Sequence, residues 1–145
     1  MKLTEFTDYS LRVLMYLAAT PTRRATIAEI ADAFDISQHH LTKVVHFLGK
    51  TGWVETLRGK GGGLMLAKAP VEIKVGEVVR EAEGAPRPAE CFSEDGACAI
   101  ARDCRLKGVL GEAVDAFYDV LDRYTLADIT RNRQALARVL MIRAA

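Results

Sequence analysis

The stretch Ser37-Gln-His-His-Leu-Thr-Lys-Val-Val-His-Phe-Leu-Gly-Lys-Thr-Gly-Trp-Val-Glu-Thr-Leu-Arg-Gly-Lys-Gly-Gly-Gly-Leu-Met-Leu66 carries two periodicities back to back. From Ser37, a good N-cap, Leu41, Val44, Val45 and Leu48 follow the i, i+3, i+4, i+7 spacing of a buried helical stripe. Gln38, His39, His40, Thr42, Lys43 and His46 are left on the other faces. The period then changes: Trp53-Val-Glu-Thr-Leu57 and Leu64-Met-Leu66 have strand character. Between them lies Arg58-Gly-Lys-Gly-Gly-Gly63, whose glycines supply the positive φ angles of a tight hairpin. Gly59 lets the backbone approach a polyanion closely, with Arg58 and Lys60 at the tip. The run lacks the spacing of a P-loop or of a dinucleotide-binding fingerprint, so nucleotide binding is not expected.

Upstream, Thr26-Ile-Ala-Glu29 has the form of a capping box and predicts a short helix with Ile27, Ile30 and Ala31 inward. Two helices separated by Phe34-Asp-Ile-Ser37 read as a helix-turn-helix. With the hairpin behind it, the expected fold is mainly α with a small β wing, a winged helix-turn-helix. Trp53 is expected as a core anchor beneath the wing. Thr7 is expected to cap a first helix that runs to about Ala19, with Leu11, Leu14, Leu17 and Ala18 on one face and Pro21 beyond it.

Downstream, Ile73 to Glu83 predicts a short amphipathic helix with Val75, Val78, Val79 and Ala82 on one side. Leu106 to Arg123 is strongly helical. Leu106, Val109, Leu110, Ala113, Phe117, Val120, Leu121 and Tyr124 make a wide apolar stripe suited to dimerisation. Thr125-Leu-Ala-Asp128 is a second capping-box pattern, and Arg133 to Arg143 a basic amphipathic turn or two. The expected organisation is a DNA-binding domain over 1–84, a cysteine-bearing loop over 85–105, and a dimerisation helix with a C-terminal helical segment over 106–145.

The chain has 145 residues, half of them hydrophobic, and a formal net charge of +1. That charge is unevenly placed. Residues 1–69 carry nine Lys/Arg against six Asp/Glu, and residues 70–145 carry eleven against thirteen. Between Ser37 and Lys68 five basic residues face only Glu55, a local footprint of phosphate contact. No apolar run approaches the roughly 20 residues of a bilayer span, and Met1 to Ser10 lacks a signal pattern, so the expected location is the cytoplasm.

All three cysteines, Cys91, Cys98 and Cys104, fall in one segment broken by prolines, glycines and charges. In a reducing compartment, clustered cysteines point to metal or redox chemistry. Zinc and iron–sulfur sites usually take four protein ligands, and this chain supplies one thiolate too few. A centre with a weak fourth donor is open to attack by small molecules, which suits a sensor. Glu94, Asp95 and Asp103 are acids within the loop, and Asp8 is an acid near the start of the first helix.

Phe6-Thr-Asp-Tyr-Ser-Leu-Arg12, the wing Arg58 to Gly63 and the three spaced cysteines together resemble the iron–sulfur winged-helix repressors, relatives of IscR. Cys104-Arg-Leu-Lys-Gly108 and Tyr124-Thr-Leu-Ala-Asp-Ile129 look most like the nitric-oxide-sensing, NsrR-type branch. Lys107 stands where the IscR branch has a histidine ligand. The resemblance implies a homodimer with an iron–sulfur cluster in each subunit, 4Fe-4S in preference to 2Fe-2S. Cys91, Cys98 and Cys104 would be the ligands, with Asp8 of the other subunit as the fourth. It also implies repression of nitric-oxide detoxification genes, relieved when reaction of the cluster with nitric oxide releases operator DNA. The interval from Cys91 to Cys98 is a residue or two longer than in some relatives, an insertion that a loop tolerates.

On the DNA side, Ser37, Gln38, His39, His40, Thr42 and Lys43 are the recognition-helix candidates. Gln38 suits adenine, and Lys43 suits guanine or phosphate. Arg58, Gly59 and Lys60 are the wing candidates, placed to follow the backbone or the minor groove. No catalytic residue is expected. Rival readings are an iron–sulfur-status or redox regulator of the same fold, a zinc-stabilised regulator, a disulfide switch, and a small iron–sulfur redox carrier. Binding to a palindromic DNA site separates regulator from carrier.

Overall fold

The computed structural model describes residues 2–86, 88–93, 98–100 and 103–143, the side chains of 141–143 excepted. Helix α1 spans Glu5–Ala19, α2 Ile27–Phe34 and α3 Gln38–Lys50. Strands β1 (Val54–Leu57) and β2 (Gly63–Leu66) pair antiparallel with Val54 opposite Leu66 and Leu57 opposite Gly63. Then come α4 (Val75–Glu83), α5 (Arg105–Leu121), α6 (Leu126–Ile129) and α7 (Arg133–Arg143).

Local chemistry sets most boundaries. The Thr26 hydroxyl accepts from the Glu29 amide at 3.2 Å while the Glu29 carboxylate accepts from the Thr26 amide at 2.7 Å, the reciprocal capping box. Ser37 caps α3 through the His40 amide. The turn between α2 and α3 passes through Asp35 at φ 55° and ψ 49°, a left-handed conformation that Asp tolerates better than most residues. At the first helix the cap differs from expectation. Thr4 accepts from the Thr7 amide, so the helix starts one turn earlier, and Thr7 is fully buried inside it. Both threonines have the right chemistry, but only the first can precede a helix whose next turn is packed into the core. The fourth helix also starts two residues later than predicted, because Pro70–Glu72 forms a separate 3₁₀ turn before it.

One core joins α1, α2, α3 and the wing: Val13, Leu14, Tyr16, Leu17, Ile30, Leu41, Val44, Leu48, Trp53 and Leu64 are its centre. Trp53 is 5 % exposed and meets the Phe47 ring edge-on, the anchor expected beneath the wing. Ala25 extends the hairpin as a third short edge by exchanging backbone hydrogen bonds with Leu64 at 3.0 and 2.7 Å. The C-terminal segments return to this core through Leu126 and Leu140, and α7 packs on α1 and α2. Arg133–Arg143 is thus a helix of 11 residues, longer than the turn or two expected.

A second, smaller core forms where α4 meets α5, from Val75, Val79, Val114 and Tyr118. Arg80 holds the contact with a two-pronged bond to Asp122 at 2.8 and 2.5 Å, its guanidinium lying 4.5 Å from the centre of the Tyr118 ring. Of the α5 stripe read from sequence, Leu106, Val109, Val120 and Tyr124 remain 61, 60, 48 and 48 % exposed. Phe117 and Leu121 of that stripe pack instead against the second core, beside Val114 and Tyr118, the two residues that α5 buries. Among the described residues no helix is long and apolar enough to cross a membrane.

Candidate nucleic-acid interface and cysteine segment

Helix α3 displays its polar residues on three distinct sides. At about 100° per residue, His39, Lys43, His46 and Lys50 fall within roughly 60° of one another, opposite the buried stripe. All four are exposed, as are Ser37, Gln38, His40 and Thr42. Thr42 and Gly49 flank a groove against β1 that Glu55 and Thr56 close from the other side. His40 lies on the opposite flank and faces Tyr9 of α1, with ring centroids 6.3 Å apart. His46, already read on the polar side, and Lys50 extend the outward stripe beyond the recognition-helix candidates, and the same i, i+4 count from His46 reaches Lys50.

The wing keeps Arg58, Gly59 and Lys60 exposed at its tip. Gly59, Gly61 and Gly63 have φ of 93°, 80° and 145°, as the hairpin reading required. Gly62 is there for a different reason: a Cβ at this position would stand 2.3 Å from the Leu57 carbonyl oxygen, so a side chain would force the turn open. The outward stripe and the wing tip form a basic, glycine-relieved surface on a rigid core. This surface has the chemistry needed for phosphate contact and major-groove reading.

The cysteine segment is built differently. Cys91 lies in the 3₁₀ turn Glu90–Phe92, and Cys104 is the residue preceding α5. All three thiols are half-buried and none is in a disulfide. Cys104 makes no side-chain capping bond, so its sulfur is not committed to α5. Lys107 lies over the Phe92 ring at 6.0 Å, tying the start of α5 to the turn that carries Cys91. Among the described residues no three of His, Cys, Asp or Glu are gathered closely enough to hold a metal ion. Glu94 and Asp95 lie outside the described residues, and Asp103 is exposed. The donor chemistry fits an iron–sulfur group: three unpaired thiols on one segment, short of a fourth ligand.

Asp8 sits in the first turn of α1, paired with Arg12 through contacts of 2.8 and 3.1 Å. Both side chains are more than two-fifths exposed, and such an i, i+4 pair is worth only about 0.3–0.5 kcal/mol. A stronger partner would therefore displace Arg12 readily. Arg12 in turn lies 5.7 Å from the ring of Phe34, at the end of α2. The N-terminus of α1 is tied to the end of α4, where Glu83 accepts from the Thr4 amide at 2.7 Å and from its hydroxyl at 3.0 Å. Burial works against the Glu83 charge, but hydrogen bonds from Thr7 and Thr4 outweigh it and hold the carboxyl below its usual range.

The helix-turn-helix, the paired wing and the basic outward stripe define a winged-helix DNA-binding protein. Residues 3–132 match the Rrf2 family, described as "Iron-dependent Transcriptional regulator". The chain belongs to that family, whose members regulate transcription and are not enzymes. It is 49 % identical over 142 residues to the HTH-type transcriptional regulator NsrR of Geobacillus kaustophilus, covering 97 % of each chain. It is 46 % identical over 145 residues to the regulator of the same name from Bacillus subtilis, covering 99 % of each. Among solved structures it resembles CymR, the global cysteine regulator of B. subtilis (TM-score 0.73, 28 % identity, 91 % of this chain and 98 % of that one). It also resembles IscR of T. potens (TM-score 0.74, 26 % identity, 91 % and 88 %).

Proposed function

We propose that this chain is a cytoplasmic, homodimeric repressor that binds operator DNA, carries an iron–sulfur cluster on its cysteine segment and releases DNA in response to nitric oxide. The observation that carries the reading is the joining of two surfaces in one chain. A formed DNA-reading face stands on one core, and three unpaired thiols lead directly into a helix with an uncovered apolar side. The identity of 46–49 % to regulators named NsrR supports nitric oxide as the signal.

In this reading Cys91, Cys98 and Cys104 hold the cluster, 4Fe-4S in preference to 2Fe-2S, and Asp8 of the second copy supplies the weak fourth donor. When bound, the cluster would supply redox-active iron able to react with nitric oxide. The chain does the rest. Asp8, held only by its half-exposed pair with Arg12, would be free to leave that pair for the cluster of the other subunit, which would restrain the first turn of α1. Without that restraint Asp8 would stay paired with Arg12, and the two winged domains would no longer be held at one spacing. A two-fold dimer must present its recognition helices about 34 Å apart to read both half-sites, so a small shift costs several contacts at once. Gln38, His39, Thr42 and Lys43 meet bases or phosphates in the major groove, with Arg58, Gly59 and Lys60 on the flanking backbone. Leu106, Val109 and Val120 of α5, with Tyr124 just beyond its end, form the dimer seam, its helical part about 21 Å long at 1.5 Å per residue.

The test is anaerobic purification with iron and sulfide analysis, then mobility shift on a selected palindromic duplex before and after nitric oxide. Loss of both the visible spectrum and DNA binding is expected. Equal affinity in holo, apo and nitric-oxide-treated protein would refute the coupling. A colourless zinc protein would move the site to structural zinc.

A further inference from the structure

Two aromatic contacts join the first turns of α1 to the recognition helix, and the DNA-reading assignment does not use them. Phe6 meets Phe47 edge-on with ring centroids 5.1 Å apart, and Tyr9 lies against His40 at 6.3 Å with planes 30° apart. Phe6, Tyr9 and Phe47, all half-buried, pack against the main core, and His40 lies at its edge. It is exposed, and it stands about 60° to 100° around α3 from the outward residues Lys43 and His39. A histidine at that angle turns away from the groove that its neighbours face. Between the two helices lies a small cavity of about 180 Å³, lined by Glu5, Phe6, Tyr9, His40, Lys43 and Val44. Its walls thus come from the helix that carries Asp8 and from the helix that carries Lys43.

We propose that Tyr9 is a positioning residue for DNA reading: by seating His40, it fixes the roll of the recognition helix about its own axis, and His40 is that seat and not a base reader. This rests on the DNA-reading assignment above and deepens it. The roll matters because the outward stripe is narrow. Rotating α3 by even a few tens of degrees would exchange His39 and Lys43 for a flank residue at the groove floor. The contact also explains how a change in the first turn of α1 reaches DNA. Tyr9 directly follows Asp8, so a displacement of that turn moves the ring on which His40 sits. Phe6 and Phe47, both half-buried, act as the pivot that holds the crossing while the outer pair adjusts.

The experiment uses the full-length protein and a duplex carrying the sequence that the wild type selects from a random library, with a scrambled duplex of equal length as reference. Binding is read by fluorescence anisotropy at fixed salt. Tyr9→Ala and His40→Ala are each expected to lose about fivefold to tenfold in affinity for the selected duplex, the scale of one aromatic pair, with the scrambled duplex bound as before. Tyr9→Phe keeps the ring and is expected to stay within about twofold. The double variant is expected to lose no more than either single one, because both remove the same contact. Additive losses, or equal losses on the scrambled duplex, would overturn the proposal, since His40 would then be touching DNA itself. Should Tyr9→Ala melt early, Tyr9→Leu, which keeps an apolar side chain but removes the ring, carries the same test. If the wild type selected no sequence at all, the DNA-reading assignment would fall, a result distinct from failure of the Tyr9 contact.

Discussion

The winged-helix half and the α5 half bury their apolar residues in different ways. Val13, Leu14, Tyr16, Ile30, Leu41 and Leu48 are 0 % exposed in a core shared by three helices and the wing. Helix α5 is longer than any of those helices, yet it buries only Val114 and Tyr118 and leaves Leu106, Val109 and Val120 exposed. The first half is complete within one chain. The second has an inner face that meets α4 and an outer face that the described residues leave exposed. Folding and assembly are therefore separable here. Substitutions in the first region should change stability at any protein concentration, and substitutions on the outer face of α5 should act only where two copies meet.

The largest effect should follow Leu41→Ala. Removing a fully buried leucine from a tightly packed core costs about 3 kcal/mol through lost transfer energy and the cavity left behind. Urea unfolding should show that loss equally at low and high protein concentration. Next comes Val109→Glu. Each two-fold interface would carry the substitution twice, burying unpaired charge, and dimer affinity should fall about a hundredfold, or about 3 kcal/mol. Sedimentation equilibrium reads this directly. A variant dimer as tight as the wild type would remove Val109 from the seam and break the comparison.

The same contrast explains what the sequence could and could not reveal. Helices α2 and α3, the turn at Asp35 and the wing were legible because each is set by chemistry within a few residues: a capping box, an N-cap serine, a glycine run. Thr4 and Thr7 were not separable by such rules, because the choice depends on which threonine is buried by α4. The outer stripe of α5 was legible as apolar but not as outward, since an amphipathic pattern does not say which partner covers it. Val114 and Tyr118 went unread because they sit beside that wider stripe and answer to Val75 and Val79, far away in the chain. At the recognition helix the residue types were plain from the sequence. The split between His39 on the outward side and His40 against Tyr9 needed α1 to be in place. The three cysteines were evident at once, but the assembly of a site from them was not, because its remaining donor is expected from another part of the chain.

A smaller effect tests the charged surface without touching either core. Lys60→Ala at the wing tip should weaken binding to selected and scrambled duplexes alike and lower the salt slope by about 0.9 for one lost phosphate contact. Melting temperature should not move. An unchanged slope would take Lys60 out of the interface and leave Arg58 as the wing's cation.

The smallest effect lies at the junction of the two regions. After α5 the chain turns at Thr125, and Leu126 re-enters the main core at 1 % exposure. Asp128 holds that turn. Its carboxylate accepts from the Thr125 amide at 2.9 Å and hydroxyl at 2.8 Å, and from Arg131 at 2.6 Å. The Thr125 amide bond is the largest influence, followed by the hydroxyl and Arg131. Together they draw the carboxyl below its ordinary 3.8 to about 2. A carboxyl depressed in the folded state stabilises fully above its unfolded value, and the benefit is lost as pH falls through the folded one. Asp128→Asn retains an acceptor oxygen but cannot carry the charge. The melting-temperature gap between wild type and variant should therefore be small and constant above about pH 5, and should close steadily as pH falls from about 4 towards 2. A gap that ignored pH would mean that the Asp128 charge does not hold the turn, and that Leu126 is kept in the core by its own burial.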